Sequence, residues 1–348
     1  MQQYRVVFMG TPEFAVPSLA AIARVEEITL VVTNPDRPAG RGRGLTVPPV
    51  KREALRLGIP VFQPEKARSP EAVARFTAER PDLIVVAAYG RILPQAVLDI
   101  PKIGCINVHA SILPRYRGAA PINWAIARGE TVTGITIMKM DAGMDTGPML
   151  HVREMPIGED DTAETMFPRL AALGAEALIE ALGKLHEGTL PETPQDGEQA
   201  TYAPMLKKEH GRIDWARPAR EVRDLVRGMT PWPSAGTSHA GKTLKILSVS
   251  VREGKGESGE ILSVDRDGIV VACGEGALLL KKVQPEGGRV MSSWDYAQGR
   301  RVRKGDRLSP YGKLRFASFS GWTGEARTRT SFSTGRSVRS PTRGTGHS

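Results

Sequence analysis

In the first half of the chain, short apolar runs alternate with segments whose apolar residues recur at helical spacing. The apolar runs end abruptly in polar or glycine-rich residues, which is typical of buried strands. The candidate strands are Tyr4–Met9, Ile28–Thr33, Pro60–Phe62, Leu83–Ala88, Ile103–His109, Val132–Met138 and Met149–Met155. Alternating strands and helices predict an α/β fold with a Rossmann-like, doubly wound and mostly parallel sheet.

One long helical pattern follows these strands, from Asp161 to Gly188. Asp161 and Glu164 have the spacing of a capping box, which would begin a helix at this point. Pro168 lies inside the pattern and cannot donate a backbone hydrogen bond. We therefore expect the helix to kink or to restart at the proline.

The second half of the chain has few helical patterns and several short strands at hairpin spacing. An amphipathic helix, Ala219–Arg227, comes first. The strands that follow are Thr243–Val251, Gly259–Val264, Gly268–Ala272 and Ala277–Val283. This pattern predicts a smaller C-terminal β-barrel of the OB-like type.

The stretch Gly236–Thr243 matches the phosphate-loop pattern G-x-x-x-x-G-K-T. A phosphate loop needs the backbone amides at the start of a helix to hold its ligand. Here the pattern leads into an alternating strand, so we predict a hairpin turn.

Composition divides the chain into four parts. We expect an α/β domain over residues 1–189, a linker over 190–206 and a β-rich domain over 207–315. Residues 316–348 are rich in Ser, Thr, Arg and Gly and have little apolar material. Such a segment buries too little surface to offset its chain entropy, so we expect a disordered tail.

The formal net charge of the 348 residues is +10. An excess of positive charge favours a polyanionic partner such as a nucleic acid. The cysteines, Cys105 and Cys273, are far apart and lack C-x-x-C partners, which argues against a disulfide scaffold and a zinc site. We see no signal peptide or membrane-length apolar stretch and expect a cytoplasmic protein.

Two polar side chains, Asn107 and His109, stand at the end of the apolar strand Ile103–His109. Being two residues apart, they point to the same face of an extended segment. Ligands of open α/β sheets bind beyond the carboxyl ends of the strands. An amide and an imidazole placed there can stabilise an oxyanion and move a proton, although each residue taken singly is more often structural.

A second polar loop, Lys139–Pro148, follows the next apolar strand. Its Asp141 or Asp145 could orient and charge His109. We therefore predict an Asn–His–Asp set drawn from two neighbouring strand ends.

The stretch after Cys105 reads N-x-H-x-S-x-L-P-x-x-R-G, and the later loop reads D-x-G-x-D-x-G. Together these motifs resemble those of the formyltransferases that use 10-formyltetrahydrofolate. The matching residues are Asn107, His109, Ser111, Leu113, Pro114, Arg117, Gly118, Asp141, Gly143, Asp145 and Gly147.

The long loop Asn34–Pro49 carries Arg37, Arg41 and Arg43 among glycines and prolines. Arginines suit contacts to phosphates and bases. Its D-R-P-A-G-R-G stretch resembles an insertion of the methionyl-tRNA formyltransferases within the same family. The resemblance implies that Arg41 contacts the acceptor end of a tRNA.

The resemblance spans residues 3–314 and implies formyl transfer from 10-formyltetrahydrofolate to the α-amine of methionyl-tRNA. It implies a monomer with folate as co-substrate and without a metal. The implied catalytic residues are Asn107, His109 and Asp145, supported by Arg117 and Asp141. The implied folate contacts are Ser111, Ile112, Leu113 and Pro114. Besides Arg41, we predict tRNA contacts at the basic residues Arg37, Arg43, Lys207 and Arg303, although a basic patch such as that of Lys207 is more often a solvated face.

Three other functions share these motifs. A relative that formylates a nucleotide sugar or glycinamide ribonucleotide would keep the Asn–His–Asp set but should lack the Arg41 loop and the basic second domain. A hydrolase could release formate from the same folate. A noncatalytic RNA-binding module could retain the fold alone, and its function would survive replacement of His109.

Overall fold

The structure is a computed structural model that describes residues 3–39 and 44–310. These residues lie in one compact unit. In its first half the elements are β1 (Arg5–Gly10), α1 (Val16–Ile22), β2 (Glu27–Val32), β3 (Arg37–Ala39), β4 (Gly44–Thr46), α2 (Pro49–Arg56), β5 (Val61–Phe62), α3 (Pro70–Ala78), β6 (Leu83–Ala87), α4 (Gln95–Leu98), β7 (Gly104–His109), α5 (Pro121–Ala127), β8 (Val132–Lys139), β9 (Met149–Pro156) and α6 (Ala163–His186).

The described residues of the second half form mostly strands, together with two α-helices. Its elements are α7 (Ala219–Gly228), β10 (Ala235–His239), β11 (Lys242–Arg252), β12 (Ile261–Asp265), β13 (Gly268–Ala272), β14 (Ala277–Pro285), β15 (Met291–Ser292), α8 (Ser293–Arg300) and β16 (Leu308–Ser309). Helix α8 was not predicted. Among the described residues, no helix is both long enough and apolar enough to cross a membrane.

The first sheet has the strand order β5-β2-β1-β6-β7-β8-β9. Its first five strands are parallel, which confirms the prediction of a Rossmann-like, mostly parallel sheet. Strand β8, however, runs antiparallel to β7, so that Asn107 pairs with Met138 and His109 with Thr136. The prediction that the end of β8 neighbours the end of β7 was therefore wrong, because the end of β8 lies beside the start of β7.

Alternation along β7 sends its side chains to two different cores. Ile106 and Val108 pack into the core that contains residues of α1 and α6. Cys105 packs into the core on the opposite face, with residues of α3 and α4. Since successive side chains point to opposite faces, Asn107 and His109 share the face of Cys105.

Helix α6 begins differently from the prediction. Thr162 caps it and exchanges side-chain hydrogen bonds with Thr165, so the predicted pair Asp161 and Glu164 was wrong. The helix continues through Pro168 without a restart. The proline falls near the first turns and removes only the bond that its nitrogen would donate to the carbonyl of residue 164.

The second sheet is antiparallel, with the order β12-β13-β14-β11-β10-β16. Its end strands are joined by bonds from Leu308 N to Gly259 O and from Ile261 N to Asp306 O, both 2.8 Å long. These bonds curl the sheet onto itself, which confirms a smaller β-barrel. The Gly236–Thr243 stretch is a hairpin between β10 and β11, as predicted.

Buried contacts connect the two sheets through their helices. Asn123 of α5 donates a 2.8 Å hydrogen bond from Nδ2 to the carbonyl of Gly228 at the end of α7. Arg227 donates from Nη1 to the carbonyls of Gly158 and Glu159, at 2.7 and 2.8 Å. The expected tail, residues 316–348, lies outside the described residues.

Candidate active site

Strand β7 brings Asn107 and His109 to one face of the first sheet. The imidazole of His109 is only 5% exposed. Asn107 is half-buried, and its side chain makes no hydrogen bond to another described residue. An uncommitted amide beside a buried imidazole is available to a ligand.

The orientation of the His109 ring is set by the loop that follows β7. Its Nε2 lies 3.0 Å from the carbonyl oxygen of Tyr116. Because a carbonyl can only accept, Nε2 must carry the hydrogen of this bond. Nδ1 is therefore the ring nitrogen left for chemistry, and it lies 3.8 Å from Oδ2 of Asp145. That gap is too long for a direct hydrogen bond but close enough for the carboxylate to stabilise a positive ring.

The Lys139–Pro148 loop folds back over the sheet to place Asp145 beside His109. Oδ2 of Asp145 also accepts a 2.8 Å bond from the backbone nitrogen of Gly118. Asp145 has a φ of +54°, in the left-handed region, which costs an ordinary residue about 1–2 kcal/mol. Asp141 instead accepts bonds from Gly143 N at 3.0 Å and Thr146 Oγ1 at 2.7 Å. The structure thus places Asp145 next to the imidazole, while Asp141 holds the loop's shape.

The predicted folate-contact segment, Ser111–Pro114, is mostly occupied with internal contacts. Ser111 and Leu113 are buried, and the other two are half-buried. Thr136 Oγ1 donates to the Ser111 carbonyl at 2.7 Å and accepts from Leu113 N at 3.1 Å. This segment therefore braces β7 against β8.

The predicted linker is part of the site's framework. Arg117, 6% exposed, donates from Nε and Nη2 to Oε1 of Gln195, at 3.0 and 2.7 Å. Gln195 Nε2 in turn donates to the carbonyls of Asp145 and Gly147, at 2.9 and 2.7 Å. Further along, Ala203 N donates to the Arg117 carbonyl at 2.7 Å.

Gly118 lies under that same segment. It has a φ of +114°, and a Cβ built on it would come within 2.9 Å of the Ala203 carbonyl oxygen. Only glycine therefore fits where the loop after β7 meets the linker.

A cavity of about 150 Å³ opens beside the Asp145 loop. Its walls are Arg91, Ile92, Leu93, Met138, Met140, Asp141, Ala142, Gly143, Met144 and Asp145. Met138 is the residue that pairs with Asn107 across the two strands. Ile92, one of these residues, is 83% exposed.

Arg91 ties this cavity to the start of the Asn34–Pro49 loop. Its Nε donates a 2.5 Å bond to Oδ1 of Asn34. Nδ2 of Asn34 donates to Thr11 Oγ1 at 2.9 Å and to the Tyr89 carbonyl at 3.0 Å. Gln63 donates from Nε2 to the Asn34 carbonyl at 2.8 Å. The carboxyl ends of β1, β2, β5 and β6 are thus joined by one polar network.

Two buried hydroxyl and thiol groups near the site stay protonated. Burial raises the pKa of Tyr116 to about 12, and its hydroxyl donates a 2.5 Å bond to Oε1 of Glu130. Burial likewise raises the pKa of the Cys105 thiol to about 12, so it packs as an apolar group. In the part of the chain that the structure describes, no group of three or more metal-binding side chains occurs.

Comparison with known proteins identifies the family. A "Formyl transferase" family model matches residues 4–182, and a "Formyl transferase, C-terminal domain" model matches residues 205–301. The methionyl-tRNA formyltransferase of Geobacter metallireducens is 53% identical over 304 residues, which cover 87% of this chain and 98% of the relative. That of Myxococcus xanthus is 50% identical over 305 residues, covering 88% and 98%. The chain belongs to the methionyl-tRNA formyltransferase family.

Solved structures show how widely this formyltransferase fold is shared. HypX from Aquifex aeolicus in complex with tetrahydrofolic acid has a TM-score of 0.59 at 19% identity, covering 90% of this chain and 50% of that chain. An N-formyltransferase from Helicobacter canadensis, bound to folinic acid and dTDP-3-aminofucose, has a TM-score of 0.60 at 18% identity, covering 80% and 98%. At these identities the likeness concerns the fold alone.

Three of the residues predicted to bind tRNA lie in the described part of the chain, and all three are exposed. Arg37 is an exposed residue of β3, which pairs with β4 at the base of the loop. Lys207 and Arg303 are exposed on the second half of the chain. Arg41 and Arg43 lie outside the described residues.

Sequence reasoning missed two parts of the site. The first is the cavity wall Arg91–Leu93, and a signal for it exists, because Gly90 and Arg91 follow the apolar strand β6 as abruptly as polar residues follow β7. The second is Gln195, which stands in a polar linker that gives no sign of its contacts.

Proposed function

We propose that this enzyme transfers the formyl group of 10-formyltetrahydrofolate to the α-amine of methionyl-tRNA. The observation that carries the proposal is the pairing of His109 with Asp145, beside the uncommitted amide of Asn107 and next to a cavity. The family supports the choice of formyl donor and acceptor, since its matched relatives are named methionyl-tRNA formyltransferases.

The three side chains divide the chemistry of the transfer. As the amine attacks the formyl carbon, negative charge develops on the formyl oxygen, and the Asn107 amide donates a hydrogen bond to it. Removing one such donor typically raises the barrier by about 3–4 kcal/mol. A protonated His109 offers a second donor at Nδ1, because its Nε2 hydrogen is already bonded to the Tyr116 carbonyl.

Asp145 is proposed to orient the histidine and to accept a proton. The new bond joins the amine nitrogen to the formyl carbon, and the bond from that carbon to the folate nitrogen breaks. The amine loses a proton to the Asp145–His109 pair, and the pair returns a proton to the leaving nitrogen. The 3.8 Å gap between Nδ1 and Oδ2 leaves this proton to pass through water or substrate.

The cavity suits a flat, partly apolar co-substrate such as a folate. Leu93, Met138 and Met140 offer an apolar surface, while Arg91 and Asp141 offer charged groups at its rim. This mixture of apolar walls and few polar groups is typical of small-molecule sites. Ser111, Ile112, Leu113 and Pro114 remain the proposed folate contacts.

The tRNA is proposed to bind along the Asn34–Pro49 loop and the β-rich domain. Arg37, Arg41, Arg43, Lys207 and Arg303 remain the proposed contacts, and the protein is proposed to act as a cytoplasmic monomer. The proposed division is a catalytic domain over 1–189, a linker over 190–206 and a tRNA-binding domain over 207–315. The base of the loop is firmly anchored, since the Lys51 ammonium lies 2.8 Å from Asp36 and lowers the pKa of that carboxyl group.

The test is incubation of the enzyme with formyl-labelled 10-formyltetrahydrofolate and charged methionyl-tRNA, followed by measurement of label on the RNA. Free methionine and uncharged tRNA serve as controls and should stay unlabelled. His109→Ala should lower the rate of labelling by roughly 10²–10⁴-fold. Label appearing only as free formate would overturn the proposal in favour of a hydrolase.

A further inference from the structure

We propose that Gln195, in the segment between the two sheets, is a positioning residue that sets the Asp145 carboxylate relative to His109. The inference rests on the proposed roles of Asp145 and His109. Gln195 touches neither of their side chains and acts through the backbone of the Asp145 loop.

The side-chain amide of Gln195 uses its whole hydrogen-bonding capacity in this contact. Its oxygen accepts two bonds from Arg117, and its nitrogen donates two, to the carbonyls of Asp145 and Gly147. A primary amide has two donor hydrogens and two acceptor lone pairs, so no capacity is left over. Such complete pairing fixes both ends of the amide in one orientation.

These bonds close a ring around the Asp145 residue. Arg117 is followed by Gly118, whose backbone nitrogen donates to the Asp145 carboxylate at 2.8 Å. The carbonyl of Asp145 is held by Gln195, which is held by Arg117. Gly118 thus holds the side chain of Asp145 directly, and the neighbouring Arg117 holds its main chain through Gln195.

Asp145 needs such a restraint because its backbone is in an unfavourable conformation. With a φ of +54° it would relax toward the ordinary right-handed or extended regions if the carbonyl were released. Rotation of that peptide would carry the carboxylate away from Nδ1 of His109. At a separation of 3.8 Å, a displacement of about 1 Å is enough to cost catalysis.

The chemistry selects glutamine at this position. A glutamate would have the same length but would set a carboxylate against two carbonyl oxygens and could donate to neither. A methionine has a similar shape and no strong hydrogen-bonding group. Gln195→Met therefore removes all four bonds, and Gln195→Glu removes only the two that reach the Asp145 loop.

The experiment measures steady-state kinetics of the full-length chain carrying Gln195→Met. We expect kcat to fall by roughly 10–10²-fold while the KM for each substrate changes less than about threefold, since only a transition-state interaction is lost. If Gln195→Met instead raises the KM for the substrates and leaves kcat unchanged, the proposal is overturned.

Gln199→Met is the matched control from the same segment. Among the described residues, its amide donates only to Oδ2 of Asp196, at 2.8 Å, on the surface. This change should leave kcat and KM unaltered. If it matches the effect of Gln195→Met, the segment as a whole is responsible and the proposal fails.

Gln195→Glu is the second variant, and it is measured if Gln195→Met does not fold. It retains the contact to Arg117, so restored activity would show that this contact alone matters and would overturn the proposal. We expect it to be at least as slow as Gln195→Met.

A double-mutant cycle with Asp145→Asn separates this inference from the proposed function. Because Gln195 acts through Asp145, Gln195→Met should cost less than about threefold in the Asp145→Asn background. The same full cost in that background would refute the positioning role. If wild-type enzyme fails to label methionyl-tRNA, the proposed function fails, and the cycle is then measured on release of formate from the folate.

Discussion

The two halves of this chain hold their proposed functional groups in opposite ways. In the first half, His109 and Arg117 are almost completely buried, and each is bonded to backbone or side-chain partners. In the second half of the chain, Lys207 and Arg303 stand exposed on the surface. The difference follows from what each region is proposed to do.

Chemistry depends on position, whereas attraction of a polyanion depends on the number of charges. An oxyanion donor works only when its hydrogen is aimed at the place where charge develops. Binding to a nucleic-acid backbone is driven by counterion release, which adds up over many cations and tolerates small shifts of each. In the first half of the chain, buried contacts therefore hold a few residues in place, whereas the second half presents exposed cations.

The largest expected effect compares two asparagines of the first half of the chain, Asn107 of β7 and Asn123 of α5. Asn107 has no hydrogen bond to another described residue, so Asn107→Ala should lower kcat by roughly 10²–10³-fold and leave the free energy of unfolding nearly unchanged. Asn123, 7% exposed, donates to the Gly228 carbonyl. Asn123→Ala should do the reverse, and destabilise the protein by about 1–3 kcal/mol with little loss of kcat.

Kinetic assays and chemical denaturation of both variants provide the measurement. If Asn107→Ala unfolds the protein as easily as Asn123→Ala, the amide of Asn107 is structural. The proposed oxyanion donor would then have to be another group.

The placement of Asn107 and His109 on one face could be predicted from the sequence, because residues two apart on a strand point to the same side. The direction of β8 could not, since an apolar run has the same pattern in either orientation. An intervening helix, α5, suggested a parallel return, yet β8 pairs antiparallel with β7. The Asp145 loop still reaches His109, because it folds back over the sheet. Gln195 and Gly118, which belong to other segments of the chain, hold it there.

The role of Gln195 was hidden for a different reason. Its partners Asp145 and Arg117 are 50 and 78 positions away in the chain. The composition around it, T-P-Q-D-G-E, is that of a solvated linker. Long-range side-chain bonds of this kind leave no local pattern, so only the folded arrangement reveals them.

An intermediate effect is expected from the exposed cations. Arg303→Ala should weaken the binding of methionyl-tRNA to the same extent whatever the RNA sequence. It should also reduce the slope of the logarithm of the association constant against the logarithm of the salt concentration by about 1. The KM for the folate should not change, because Arg303 is not one of the residues that line the cavity. Arg68→Ala, which removes one exposed charge from the first half of the chain, is the control and should leave the slope unchanged. Equal slopes for all three proteins would remove Arg303 from the tRNA surface.

The smallest effect concerns the junction between the two regions, where the ring of His210 packs edge-on against Trp124 of α5, with centroids 5.1 Å apart. Burial lowers the pKa of His210 below its usual value. As pH falls below about 6.5, the unfolded chain therefore takes up a proton at this residue before the folded protein does, and the stability that the neutral ring contributes is lost.

Denaturation at pH 7.5 and 5.5 should accordingly show a larger loss of stability in the wild-type chain than in His210→Gln, which cannot titrate. The labelling rate at pH 7.5 should be the same in both, since His210 lies outside the catalytic set. If the two proteins lose stability equally, the junction does not exclude the charged ring. A fall in the labelling rate of His210→Gln at pH 7.5 would instead mean that the packing of the second region on α5 helps to hold the site. The second region would then act through position as well as through charge.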